Sequence, residues 1–277
     1  MATARCETLE FSRIAVLIAM LHALMIPSGC TAGQPSAVRS PGDITGQPTA
    51  LQDNSQKDGV ATPPGHAERS ASPNSSSWNL GSLDTARRVP YLTEVEKDIF
   101  LELNKVRADP ALYASTYLEP RRHDYHGRIY RVPGQTDLLT SEGLAALEEC
   151  IRVLRSTPGR GVLLPSRGLS QAARDHVEDA GPRGLLGHTG TDGSSLESRV
   201  SRYGTWQEII GENIAYGAPE ARNTVIQMLI DDGVPSRGHR NNILQERFGT
   251  AGVAAGPHRT FRTMWVLDFA GRHEDHP

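Results

Sequence analysis

The segment DDGVPSRGHRNNIL, residues 231–244, sets two carboxylates and an imidazole around a loop broken by Gly233, Pro235 and Gly238. Upstream of it, Val225, Met228, Leu229 and Asp232 recur at helical spacing on one face. That spacing predicts an inward Asp232 and an outward Asp231 beside Gln227. A carboxylate on a packed face needs a partner, because burying an unpaired charge is costly. His239 is one candidate partner; a helix-terminal carboxylate in water is the alternative. Two further side chains of the same chemical types lie nearby in the sequence. His188 sits in GHTGTDGSS, residues 187–195, and Glu212 lies between Gly211 and Asn213 at the start of a strand-like stretch. Loops of this composition run over surfaces and carry a disproportionate share of functional side chains.

The elements that must position these groups begin near Tyr91. Thr93-Glu-Val-Glu96 has a capping-box pattern, and Val95, Ile99, Leu103 and Val106 line the helix it opens. Asp109-Pro110 ends that helix and starts another. Residues 121–137 read as a polar loop. Helices are expected at about 141–156, 168–180, 221–232 and 239–246, with Ser236 capping the last. ENIAYG, TAGVAA and RTMWVLDFA read as strands. Helices followed by mixed strands and helices predict an α+β domain with helices on an antiparallel sheet.

Four segments in order, LNKVRADPALYA, LGHTGTDG, GENIAYG and GHRNNIL, resemble the CAP (SCP) superfamily of cysteine-rich secretory proteins, antigen 5 and pathogenesis-related 1 proteins. The resemblance spans roughly residues 91–271. It implies a three-layer α-β-α sandwich with a central antiparallel sheet and a cleft lined by two histidines and two acids. Carried over, these are His188, Glu212, Asp232 and His239, with Asp232 where the family often has glutamate. Leu229 replaces a tryptophan usual on that helix. Two imidazoles and one or two carboxylates suit a divalent ion, zinc first, with an open position for water. A hydrogen-bonded polar cluster without metal is the alternative. No HExxH pattern is present.

The other reactive types have blander readings. His176 lies on an apolar helical stripe and reads as a core histidine. His123 and His126 fall in a polar loop, and His273 and His276 in a charged tail. Cys150 sits in an apolar helix as a buried thiol. No G-x-S-x-G elbow or phosphate-binding glycine loop occurs.

The chain of 277 residues carries a formal net charge of -3, which gives no basic footprint for nucleic acid. Residues 14–26 form an apolar run too short for a bilayer span of roughly 20 residues, but suited to a signal peptide over 1–29. IPSGC then resembles a lipobox that would place a membrane-anchoring lipid on Cys30. Residues 30–90, poor in apolar periodicity, read as a disordered tether, 91–272 as the folded domain and 273–277 as a tail. An exported, membrane-anchored or secreted monomer is expected. Its cleft would take a small lipid, sterol-like or peptide ligand. The alternatives are a metal-assisted hydrolase with Glu212 or Asp232 as general base, and a cell-surface interaction protein with a vestigial site.

Overall fold

The computed structural model describes residues 77–277 and two short strands before them. In chain order the elements are β1 (Ala15–Val16), β2 (Leu24–Pro27), α1 (Leu80–Leu83), α2 (Glu94–Ala108), α3 (Pro110–Tyr113), β3 (Tyr125–His126), β4 (Ile129–Tyr130), β5 (Leu138–Leu139) and α4 (Leu144–Ser156). Then come β6 (Leu164–Pro165), α5 (Arg167–Ala180), α6 (Leu196–Tyr203), β7 (Gly204–Tyr216), α7 (Ala221–Ile230), α8 (Gly238–Leu244), β8 (Thr250–His258) and β9 (Arg262–Asp275). Most of the expected leader and tether, with Cys30, lies outside the described residues.

The main sheet has the order β2-β7-β9-β8-β6. Its centre, β7-β9-β8, is antiparallel throughout, while β6 joins β8 in parallel. Leu24–Pro27 pairs antiparallel with Ile209–Glu212 on the outer side of β7. Residues 264–270 of β9 are all buried, so both faces of the sheet are covered. One face packs against α5 and α6, through Leu169, Ala172, Leu196, Val200, Ile210 and Ala270. The other is covered by α2, α7 and α8, with α4 packed on α7. The α+β class and the layered arrangement agree with the expectation.

Local chemistry explains the joints. The capping box at Thr93 forms, with Glu96 Oε2 accepting from the Thr93 amide at 2.8 Å. Glu96 is fully buried, and its other oxygen accepts from Arg174 on α5 and from the Ala255 amide on β8. One carboxylate thus ties three elements together. Arg107, at the end of α2, is also fully buried and donates to four carbonyls, those of Gly161, Ile243, Gln245 and Phe248. Burial lowers its pKa to about 10. Its fork fixes the C-terminal end of α8, and so the frame of His239.

Several boundaries differ from the sequence reading. Order begins before Tyr91: Leu83 and Ala86 are buried in the core, and Trp78 stacks on Tyr117 at 5.6 Å. These isolated apolar residues lack periodicity, because a chain crossing a surface buries side chains singly. The expected tail is the end of β9, with His273 buried against Ser166. The polar loop at 121–137 contains the small β3–β4 hairpin. Helix α6 and the 13-residue length of β7 have no counterpart in the sequence reading. Ser236 does not cap α8, whose N-cap is Arg237 in a left-handed conformation.

Candidate functional site

Glu212 lies in the middle of β7, directly opposite Asp268 of β9. Alternation along the strand turns both toward α5 and α6. Glu212 is fully buried. Its Oε1 accepts from His188 Nδ1 at 2.7 Å, and its Oε2 accepts from an Arg199 Nη2 at 2.6 Å. Arg199 stands on α6 and is itself 1% exposed. Its Nη1 donates to the carbonyls of His188 and Ser194, so one guanidinium holds both the acid and the loop that delivers the histidine. That loop is shaped by Asp179, which accepts from the amide and hydroxyl of Thr191, and by Ser195, the N-cap of α6.

Burial alone would raise the Glu212 pKa, but the His188 hydrogen bond and the Arg199 charge outweigh it and hold the carboxyl below its usual range. Asp268 goes the other way. Burial, reinforced by the neighbouring Glu212 charge, pushes its pKa well above the ordinary value. Two carboxyls on facing residues cannot both ionise cheaply. Glu212 is therefore the anion and Asp268 the neutral acid.

The second imidazole is held differently. Helix α7 stops at Ile230, and Asp231 takes the left-handed conformation with φ 54° and ψ 43°. This break in the helical projection turns Asp231 inward, to 3% exposure. Its Oδ1 accepts from His239 Nδ1 at 2.6 Å and its Oδ2 from the His239 amide at 3.0 Å. The expectation for Asp232 is thereby corrected. Asp232 accepts from the amides of Ser141 and Glu142, at 2.5 and 2.7 Å, and pins the loop before α4. His239 is fully buried, its Nε2 has no hydrogen-bond partner among the described residues, and its carbonyl accepts from Asn213 Nδ2. Asn242 donates to Asn213 Oδ1 at 2.9 Å, locking α8 to β7.

Three of the residues named from sequence thus fall in two pairs held by different layers: His188–Glu212 against α5 and α6, and His239 with Asp231 at the α7–α8 turn, while Asp232 stands apart. In each pair a carboxylate fixes Nδ1 as the protonated nitrogen, which leaves Nε2 as the acceptor. The carboxylates of the set are engaged by other groups and are not placed as ligands of a divalent ion. Both oxygens of Glu212 are committed, a guanidinium adjoins it, and Asp231 is spent on His239. Among the described residues no group of three or more His, Cys, Asp or Glu is placed to hold a metal. Sequence reasoning missed Arg199, Asp231 and Asp268. Asp268 carried a readable signal, as the one charge inside the apolar run MWVLDFA. Cys150 is buried as expected, with its thiol pushed up to about 11 by burial.

Residues 151–269, which contain both pairs, match the family model for the cysteine-rich secretory protein family, CAP. Among solved structures, the chain is similar to an outer surface protein from Borrelia burgdorferi, at 19% identity and a TM-score of 0.34. That match covers 41% of this chain and 80% of the other. It is also similar to an extracellular protein containing a SCP domain from Bacillus anthracis str. Ames, at 23% identity and a TM-score of 0.32. There the match covers 45% of this chain and 37% of the other. No curated protein matches.

Proposed function

We propose that this chain, which carries a CAP domain within residues 151–269, is an exported binding module and not a hydrolase. The observation that supports the reading is the state of Glu212. A general base must have a lone pair free for the proton it removes. Glu212 is buried, ionised and engaged on both oxygens by His188 and Arg199. Asp231 is likewise spent on His239. The carboxylates act as supports that orient two imidazoles. His239 Nε2 is buried and has no partner among the described residues.

The ligand is a small lipid or a peptide. Export rests on the apolar run at 14–26, and membrane attachment on a lipid at Cys30 within IPSGC. No helix of the described residues is long and apolar enough to cross a membrane. The purified protein is tested by native mass spectrometry for co-purified ligand, by titration with zinc, and by turnover of ester and peptide substrates. Bound lipid or peptide, no stoichiometric zinc and no turnover are expected. Zinc-dependent hydrolysis that disappears in Glu212→Gln would overturn the reading. Intact-mass analysis of the mature N-terminus tests the anchor, and an unmodified Cys30 would remove it.

A further inference from the structure

β7 is the outer strand of the antiparallel centre β7-β9-β8, and beyond it the main sheet holds β2. β2 runs antiparallel to β7 in the register Leu24–Glu212, Met25–Gly211, Ile26–Ile210 and Pro27–Ile209. These four residues come from the end of the apolar run expected to be a cleaved leader. A strand edge left uncovered presents a row of unpaired N–H and C=O groups, a template for another extended chain.

The edge has a defined length. The pairing of β7 with β9 shifts register between Gln207 and Ile210, and Glu208 there takes φ 70°. A bulge bends its strand and interrupts regular pairing. β2 stops at the same place, with Pro27 opposite Ile209. Proline donates no ladder hydrogen bond, so it suits the end of a strand. The residues along the edge favour an apolar occupant. Ile209 and Ile210 are buried, and Gly211 adds no side chain. Directly opposed residues have Cβ atoms about 4.5–5.5 Å apart, so a strand laid here sets its side chains against these isoleucines. The edge ends at Glu212, whose partner His188 has a side chain 13% exposed. A docked residue opposite Glu212 shares its face and lies beside that pair.

We propose that, with the leader removed, the β7 edge at Ile209–Glu212 binds an extended apolar peptide by strand addition, in the register that the leader itself takes. Main-chain hydrogen bonds supply the affinity, and the side-chain positions beside Ile210 and Glu212 supply the selectivity. The proposal rests on the exported, peptide-binding reading above and gives that reading a site and a ligand class. In the precursor the leader covers the edge, so the site opens only on cleavage.

The test compares the full chain with its Leu24→Pro/Met25→Pro variant, in which the leader loses two adjacent backbone donors and with them its pairing. Hydrogen–deuterium exchange reads the amides of residues 209–212. Fluorescence anisotropy reads binding of a labelled peptide with the sequence of residues 22–29, HALMIPSG. In the full chain these amides should exchange slowly and the peptide should not bind. In the variant, exchange should be about tenfold faster or more, and the peptide should bind 1:1 and restore protection. Both substitutions lie outside residues 77–277, so the domain should stay folded. The same peptide N-methylated at its Met and Ile keeps its side chains but loses ladder donors, and should bind at least about tenfold more weakly. Equal exchange at 209–212 in the two chains, no binding to the variant, or equal affinity for the N-methylated peptide would each overturn the proposal. Protection of 209–212 by a peptide that is then cleaved would uphold the docking site and sink only the binding-module reading.

Discussion

At the scale of single residues, the outcome turns on which carboxylate is spent on what. Asp231 and Asp232 are adjacent and chemically identical, yet one holds a buried imidazole and the other caps a loop. Their substitutions should therefore separate. Asp231→Asn keeps a residue tolerant of the left-handed conformation but loses the charge-assisted bond to His239. It should cost about 1.5–3 kcal/mol. Asp232→Asn should cost less than about 1 kcal/mol, in the range of an ordinary cap. Thermal denaturation measures both, and ¹⁵N shifts of His239 should report a changed tautomer only in Asp231→Asn. Asp268 gives a prediction with a sign. Its folded pKa is raised, while the unfolded value is about 3.9. Between the two, the folded chain keeps a proton that the unfolded chain releases, so this group makes stability fall as pH rises. Asp268→Asn removes that loss. Its melting temperature should match the parent near pH 4 and exceed it increasingly toward pH 8. An advantage that shrinks with pH would contradict a protonated Asp268.

The elements explain why some of the site could be read and some could not. His188 and Glu212 were legible because GHTG and GEN, taken in order with GHRNNIL, resemble the motifs of one family, although Glu212 lies well inside β7 and not at a strand start. Asp231 was not, because the helical periodicity of the sequence runs on through Asp232, whereas α7 ends at Ile230 and the next residue reverses its backbone. Arg199 and Asp268 meet Glu212 only through the packing of α6 and the register of β7 on β9. Neither is encoded within a window of neighbouring residues. The same holds for the approach of α5 to the sheet. A Cβ on Gly252 of β8 would collide with the Leu169 carbonyl carbon and the Ser170 amide nitrogen. These are backbone atoms of α5, which cannot give as a side-chain tip can. Gly252→Ala should cost at least about 1–3 kcal/mol, the usual range for overpacking. A fully stable Gly252→Ala would mean that α5 sits farther from the sheet.

For the whole molecule, the question is where the folded unit begins. Composition places the boundary near Tyr91, since residues before it show no repeating apolar face. In the structure the packed region reaches back at least to Trp78 through single contacts. Leu83 and Ala86 enter the core, and Trp78 donates its indole N–H to the Lys105 carbonyl at the end of α2. Asn104 on α2 donates to the Leu83 carbonyl, and Thr85 to that of Leu163. A domain cut at 91 would lose these and expose the apolar surface they cover. At about 1.5–3 kcal/mol for a buried large side chain, and with Trp78 only partly buried, residues 91–277 should be less stable than residues 77–277 by roughly 3–5 kcal/mol. The loss should appear in denaturant midpoint with little change in the slope, because the remaining core is the same. The α2 end also carries Arg107, which fixes α8 and His239. The shorter domain should therefore show faster amide exchange at α8 as well as at α2. If both truncations melt together and protect α8 equally, the segment at 77–90 only rests on the surface, and the boundary belongs at Tyr91 after all.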